Sequence, residues 1–355
     1  MPAPVGFIVC ALPIATNAAE PLVQTGPLSF APLVRKVVPA VVNIAVSIDE
    51  AGPRPTVPPA VRGTPLEKSY RDKQKQNRQQ IVGAGSGFIV DPGGIIVTND
   101  HVVGNANRIV VSLTDGTELP ARVIGTDDLT DIAVIRVQAD HKLPSVVWGD
   151  SRQVQVGDWI LAAGNPFGLG GSVTAGIVSA RGRELGTGPF DDFFQLDAPI
   201  NPGNSGGPTF NMAGEVVAVN SALVSPTGAS VGIGFAIPSE IAEPVVAELI
   251  AHGHMDRGWL GVEVDTAARR RAGALIASVT RGGPGARSGL KPGDVVLQFN
   301  NEHVGSSREL VRDVSAVNPG GMAHLRVKRQ SQLLEISVTV GRRPPESTET
   351  DPVEK

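Results

Sequence analysis

The sequence contains a single cysteine, Cys10, in 355 residues, so no intrachain disulfide can form. Aromatic residues make up only 4% of the chain, and its cores must be built from Val, Ile, Ala and Leu. That choice suits strands better than long helices. There is no apolar run of about 18 residues or more, so no ordinary transmembrane helix is expected. A long basic run is also missing, and Lys+Arg number 31 against 35 Asp+Glu, net −4. Nucleic acid is therefore not an expected partner. No group of His, Cys, Asp and Glu has metal-ligand spacing. His252-Gly253-His254 offers two close histidines without a third ligand nearby and reads as a linker. Neither a metal nor any other cofactor is expected.

The length suggests two or three domains, and an apolar fraction of 41% is enough for well-formed cores. Residues 1–19 are uncharged, with an apolar stretch from Val5 to Leu12 followed by small residues, which reads as a secretory signal peptide lacking the positively charged start. Cys10 would leave with it. Ala31 to Val38 is expected to form a short helix entered through Pro32, and Ala40 to Val46 a strand. Residues 49–80 hold five prolines and then a Lys/Arg/Gln-rich run, and are expected to form a mobile loop. From Gly83 to Pro238, short β-runs alternate with Gly, Asp and Asn turns such as Asp91-Pro92-Gly93-Gly94 and Thr114-Asp115-Gly116-Thr117. No helices intervene, so parallel βαβ units are excluded and two antiparallel barrels are expected. Ser239 to His252 reads as a helix with Ser239 as N-cap, a stripe of Ile241, Val245, Leu249 and Ile250, and Gly253 at its end. It leads into a linker (241–256). Residues 343–355 are polar and expected to be disordered.

Chemistry concentrates in Asn201-Pro202-Gly203-Asn204-Ser205-Gly206-Gly207-Pro208. A serine flanked by glycines can project its hydroxyl into a cleft while neighbouring N–H groups converge on one point. Gly203, Asn204 and Ser205 are the candidate oxyanion hole. Taken alone, the loop is equally compatible with a plain β-turn. The difference comes from upstream. A serine nucleophile needs a base, and the base needs an orienting acid. Thr98-Asn99-Asp100-His101-Val102-Val103 supplies His101, and Thr130-Asp131-Ile132-Ala133-Val134-Ile135 supplies Asp131. Asp100 is adjacent to His101 but, on a strand, would face the other way. The residues flanking the nucleophile, Pro199 and Ile200, and the run Asn220-Ser221-Ala222 are expected to line an apolar substrate pocket. Asp197 is the one nearby acid, and cleavage after Lys or Arg would follow if it lined that pocket.

The order His, Asp, Ser is the chymotrypsin order. The three motifs, together with Gly164-Asn165-Pro166-Phe167-Gly168 and Gly232-Ile233-Gly234-Phe235-Ala236-Ile237-Pro238, resemble the HtrA (Deg) family of serine proteases. The resemblance runs from about Leu28 to Arg342. It implies a mainly β fold: a chymotrypsin-like double β-barrel (28–240) followed by one β-rich α+β PDZ domain (257–342). Trp259-Leu260-Gly261-Val262 resembles a PDZ carboxylate-binding loop, in which the N–H groups of Leu260, Gly261 and Val262 would capture a peptide C-terminus. Gly289 to Val296 is the second PDZ-like stretch, and Ser307 to Val317 would be the helix lining the groove. The family implies endoproteolysis of unfolded or misfolded polypeptide, a periplasmic or other extracytoplasmic location with membrane association allowed, a role in quality control and stress response, and a homotrimer with Leu28 and Phe30 as contacts. Arg183 matches a regulatory-loop arginine, with a plain surface arginine as the alternative. The rival function is a chaperone or PDZ binding module with little proteolysis.

Overall fold

The computed structural model describes residues 29–47, 81–104, 106–168, 170–186, 188–201, 203–223, 230–265 and 273–344. The expected signal peptide, Leu28, the 49–80 segment and the tail beyond 344 lie outside the described residues.

Two closed antiparallel barrels of six strands each form the first part of the chain. One contains β1 (Val41–Ser47), β2 (Ile81–Asp91), β3 (Ile95–Thr98), β4 (Arg108–Ser112), β5 (Glu118–Asp127) and β6 (Ile132–Val137), in the order β1-β2-β3-β6-β5-β4, with β4 closing on β1. The other contains β7 (Trp159–Gly164), β8 (Ser172–Arg183), β9 (Phe193–Leu196), β10 (Pro208–Phe210), β11 (Val216–Leu223) and β12 (Gly234–Pro238), ordered β10-β11-β12-β9-β8-β7, with β7 closing on β10. The alternating runs become strands because one side of each faces a barrel interior. Phe88, Ile96 and Ile135 fill the first interior, and Ile160, Phe194 and Leu196 the second. The expected turns are present: Asp91 Oδ1 accepts the Gly93 N–H (2.7 Å), and Asp115 Oδ1 accepts the Thr117 N–H (2.8 Å).

The helix Ser239–His252 follows the second barrel but packs on β5 and β6 of the first, so it straps the two together. Two details differ from the sequence expectation. Ser239 lies inside the helix, and its hydroxyl donates to Gly149 O (2.6 Å) while accepting the Ser151 N–H (3.0 Å). Capping comes instead from Ser151, whose Oγ accepts the Glu240 N–H (2.9 Å). The buried stripe is Ala242, Val245, Val246 and Leu249, whereas Ile250 is exposed because it lies on the solvent side of the last turn. Gly253 closes the helix at φ 77°, its N–H reaching Leu249 O.

The C-terminal domain has a short pair, β13 (Gly258–Trp259) with β20 (Gly341–Arg342), and a sheet of β14 (Val262–Val264), β15 (Ala274–Val279), β16 (Val295–Phe299), β18 (Met322–Arg329) and β19 (Gln332–Thr339). β17 (Glu302–His303) pairs with β16. The helix Ser307–Ser315 covers the sheet with Leu310 and Val314, and Ser306 caps it through the Glu309 N–H.

Arginines tie this domain to the first barrel. Arg257 grips Asp127 with two bonds (Nε–Oδ1 2.9 Å, Nη2–Oδ2 2.6 Å), and the two side chains are only 8% and 3% exposed. Its guanidinium also lies 4.3 Å from the Phe190 ring centroid. Arg343 grips Asp128 in the same two-bond manner (2.8 and 2.7 Å). Removing one member of a buried pair leaves the other charge uncompensated. Arg257→Met is therefore expected to destabilise the protein by about 3 kcal/mol or more, read as an earlier denaturant-unfolding midpoint. Arg343→Met, at a more exposed pair, should cost no more than about 1 kcal/mol.

Candidate active site

Pairing between β3 and β6 brings the first two residues together. Thr98 lies opposite Ala133, and the strands are antiparallel, so the chain just beyond Thr98 runs beside the chain just before Ala133. His101 sits there on a helical turn, Asp100–Val103, not on a strand. The strand-alternation argument against Asp100 therefore fails, although Asp131 is the residue that meets the imidazole. His101 Nδ1 is 2.9 Å from both Asp131 carboxylate oxygens, and the His101 backbone N–H donates to Oδ1 at 3.1 Å. With its Nδ1 proton held by a carboxylate, the ring presents Nε2 as a base. Asp131 has φ 56°, an uncommon conformation for a side-chain-bearing residue. The Asp100 N–H (3.2 Å) and the Asn99 amide (2.8 Å) fix its carbonyl in that conformation.

Ser221, read from the sequence as pocket wall, donates its hydroxyl to Asp131 Oδ2 at 2.8 Å. No local pattern could have revealed this, because it depends on β11 crossing from the second barrel. Ser205 Oγ donates to the Ser221 carbonyl (3.1 Å), not to His101. Among the described residues, neither the Gly203 N–H nor the Ser205 N–H has a hydrogen-bond partner. The Asn204 N–H is different: it donates to Asn201 O (3.0 Å) and is unavailable to an oxyanion, which corrects its inclusion in the hole. Asn220 is corrected as well. Its amide is fully buried, bonded to Thr209 Oγ1 (2.6 Å) and Ala163 O (3.0 Å), and braces strands instead of lining a pocket. Ile200 is in the second-barrel core, and the Pro199 carbonyl accepts from Thr174 Oγ1. Asp197 is committed to the Ile177 N–H (2.6 Å). A cavity of about 480 Å³ beside His101 and Asp131 is lined by these two residues and by Asp100, Phe190, Ser221 and Ala222, among others.

Further out, Arg183 ends β8 and donates from Nε to Gln195 Oε1 (3.0 Å). Its neighbour Glu184 meets Arg308 of the C-terminal domain at 2.6 Å. In that domain, Gly261 has φ 68°, and the carbonyls of Leu260 and Gly261 accept from the N–H groups of Gly285 (2.7 Å) and Thr280 (2.8 Å). The N–H groups of Gly261 and Val262, on the opposite sides of those peptides, are thereby turned outward. The two linker histidines are engaged by neighbours, His252 by Glu248 (2.8 Å) and His254 by Asp256 (3.1 Å).

Burial in the cleft disfavours a charged imidazole, but the hydrogen bond and charge of Asp131 and the nearby charge of Asp100 outweigh it and raise the His101 pKa. Burial, with Asp131, Asp128 and Asp127 around it, likewise raises Asp100. A general base must be neutral, so the acid limb of kcat/KM is expected above the ordinary histidine value of about 6.5. Asp100→Asn removes a negative charge and should move that limb to lower pH. Ser221→Ala should lower kcat/KM by roughly 10- to 100-fold, since a hydrogen bond to a charged group is worth about 1.5–3 kcal/mol. Both effects are read from pH–rate profiles on a chromogenic peptide.

Comparison with known proteins agrees with this geometry. A trypsin-like peptidase domain model matches residues 85–219, and a PDZ domain model matches residues 258–340. A probable periplasmic serine endoprotease, DegP-like, from Brucella suis is 41% identical, the match covering 95% of this chain and 77% of the relative. The structure of the HtrA-type protease AlgW with a decapeptide aligns with a TM-score of 0.74 at 38% identity, covering 90% of this chain and all of that one. The serine endoprotease from Yersinia pestis aligns at 0.70 and 33% identity over 90% of this chain and all of that one. The chain belongs to the HtrA/DegP family of serine endoproteases, with a trypsin-like peptidase domain followed by one PDZ domain.

Proposed function

We propose that this endoprotease cleaves unfolded or misfolded polypeptides without ATP, as protein quality control in an extracytoplasmic compartment, with His101, Asp131 and Ser205 as its triad. The observation that carries the reading is a histidine oriented by a carboxylate, next to a serine loop whose Gly203 and Ser205 N–H groups have no hydrogen-bond partner among the described residues. In turnover, the Ser205 hydroxyl leaves the Ser221 carbonyl and gives its proton to His101 Nε2 as Oγ attacks a peptide carbonyl. The two N–H groups take the oxyanion, each contributing about 3 kcal/mol to lowering the barrier. His101 then protonates the leaving amine, and water resolves the acyl-enzyme by the same route. Asp197 holds the Ile177 N–H and is not among the residues lining the cavity beside His101, which supports an apolar residue of modest size before the cut.

Peptides with an apolar C-terminus bind at Leu260, Gly261 and Val262 and raise activity. The path runs through Arg308, which touches Glu184 beside Arg183. Exposed Trp159, in tilted contact with Phe30 at a ring-centroid distance of 5.7 Å, supplies an apolar surface for a homotrimer contact. The resting bond from Ser205 to the Ser221 carbonyl favours a second reading, a chain binder with little proteolysis until it is activated.

Casein cleavage distinguishes the two. The protease reading expects cleavage that rises with an apolar C-terminal peptide and falls at least a thousandfold, roughly, in Ser205→Ala. Peptide binding without cleavage by either form would favour the binder. Arg183→Ala should keep basal cleavage and lose the peptide stimulation; full stimulation in that variant would remove Arg183 from the path.

A further inference from the structure

We propose that Ser86 is a positioning residue for the oxyanion site, a role that rests on the reading of Gly203 and Ser205 as oxyanion donors. Ser86 lies on β2 in the run Gly83-Ala84-Gly85-Ser86-Gly87-Phe88, and it is completely buried. A buried serine among aliphatic neighbours has to satisfy its hydroxyl, and the partners here are informative. Ser86 Oγ donates to the Gly203 carbonyl at 2.6 Å and accepts the Asn165 N–H at 2.8 Å. Since Asn165 occupies a lone pair, the one hydroxyl proton is committed to Gly203. The Ser86 N–H meanwhile donates to the Ser205 carbonyl (2.8 Å), and its carbonyl accepts from Thr98 Oγ1 (2.7 Å).

These bonds fix peptide planes on both sides of the nucleophile. The Gly203–Asn204 peptide is held at its carbonyl by the Ser86 hydroxyl and at its N–H by Asn201 O. The Ser205–Gly206 peptide is held at its carbonyl by the Ser86 N–H and at its N–H by Asn220 O (2.8 Å). Between them lies the Asn204–Ser205 peptide, whose carbonyl accepts the Gly207 N–H (3.0 Å) and whose N–H, on the opposite side, is the proposed oxyanion donor. With both neighbouring planes clamped, its direction is set. Gly203 has φ 99° and no Cβ to resist rotation, so the loop itself offers little stiffness at this point. The Ser86 hydroxyl supplies the stiffness from the other barrel. Oxyanion stabilisation requires donors already oriented before charge develops, so losing the hydroxyl should weaken binding of the transition state while leaving substrate binding nearly unchanged.

The test compares wild type, Ser86→Ala and Ser86→Cys, with Ser205→Ala as control. Two quantities are measured: kcat and KM on a chromogenic peptide, and the affinity of a peptide boronic acid, whose tetrahedral adduct places an oxygen at the oxyanion position. Ser86→Ala should lower kcat by about 10- to 100-fold, change KM less than about twofold, and weaken the boronate in proportion to kcat. Ser86→Cys keeps a polar hydrogen on a somewhat larger atom that donates poorly, and should fall between; it decides the matter by the same ratio if the alanine variant does not fold. An unchanged ratio of boronate affinity to KM in a folded variant would overturn the proposal. Cleavage persisting in Ser205→Ala would instead overturn the reading of the nucleophile on which it rests.

Discussion

The active region depends on two barrels meeting without a gap and without a covalent link. The chain's one cysteine leaves the seam to hydrogen bonds between buried groups. The Ser86 N–H reaches Ser205 O, the Asn43 amide reaches Asn165 O at 2.9 Å, and Gly206 lies so close to Ser86 O and Thr98 that a Cβ there would collide with both. His101 and Asp131 belong to one barrel and Ser205, the proposed nucleophile, to the other. A displacement of about 1 Å at the seam would therefore cost activity by misplacing reacting groups, even with both barrels intact. The helix that leaves the second barrel to pack on the first opposes such sliding over a much larger apolar area.

Electrostatics impose a second condition. Asp100, Asp127, Asp128 and Asp131 crowd into one region, and like charges so close destabilise one another. Asp131 is balanced by His101 and the Ser221 hydroxyl, Asp127 by Arg257 and Asp128 by Arg343. Asp100 has no such cation among the described residues: burial, and after it the charges of Asp131, Asp128 and Asp127, raise its pKa. Two of the balancing cations lie in or next to the C-terminal domain. That domain thus contributes charge compensation to the loop carrying Asp131, besides any role as a peptide receptor.

Much of this was legible in the sequence, and the reason is locality. A glycine-flanked serine, a histidine after an apolar run and an aspartate before one are short-range signals, and their order selects the double barrel. Turn chemistry at Asp91 and Asp115 was legible for the same reason. Residues whose meaning depends on a partner far along the chain were not. Ser221 was legible as cavity wall but not as the partner of Asp131, which requires β11 to cross from the second barrel, and Asn220 reads as wall although its amide braces Thr209 and Ala163. Ser239 had the chemistry of a cap, but it bonds to residues about ninety positions upstream. Ile250 fitted a helical stripe whose centre is set by the barrel it packs against, which periodicity alone does not fix.

The grip of Arg257 on Asp127 spans 130 residues of sequence. A ribosome makes the loop carrying Asp127 and Asp131 long before it makes the arginine that pairs with Asp127. A nascent protease therefore carries its histidine, aspartate and serine while the loop beneath the aspartate still lacks its counter-ion, which arrives only as the linker emerges. Chain order alone delays this charge compensation until synthesis has reached the C-terminal domain.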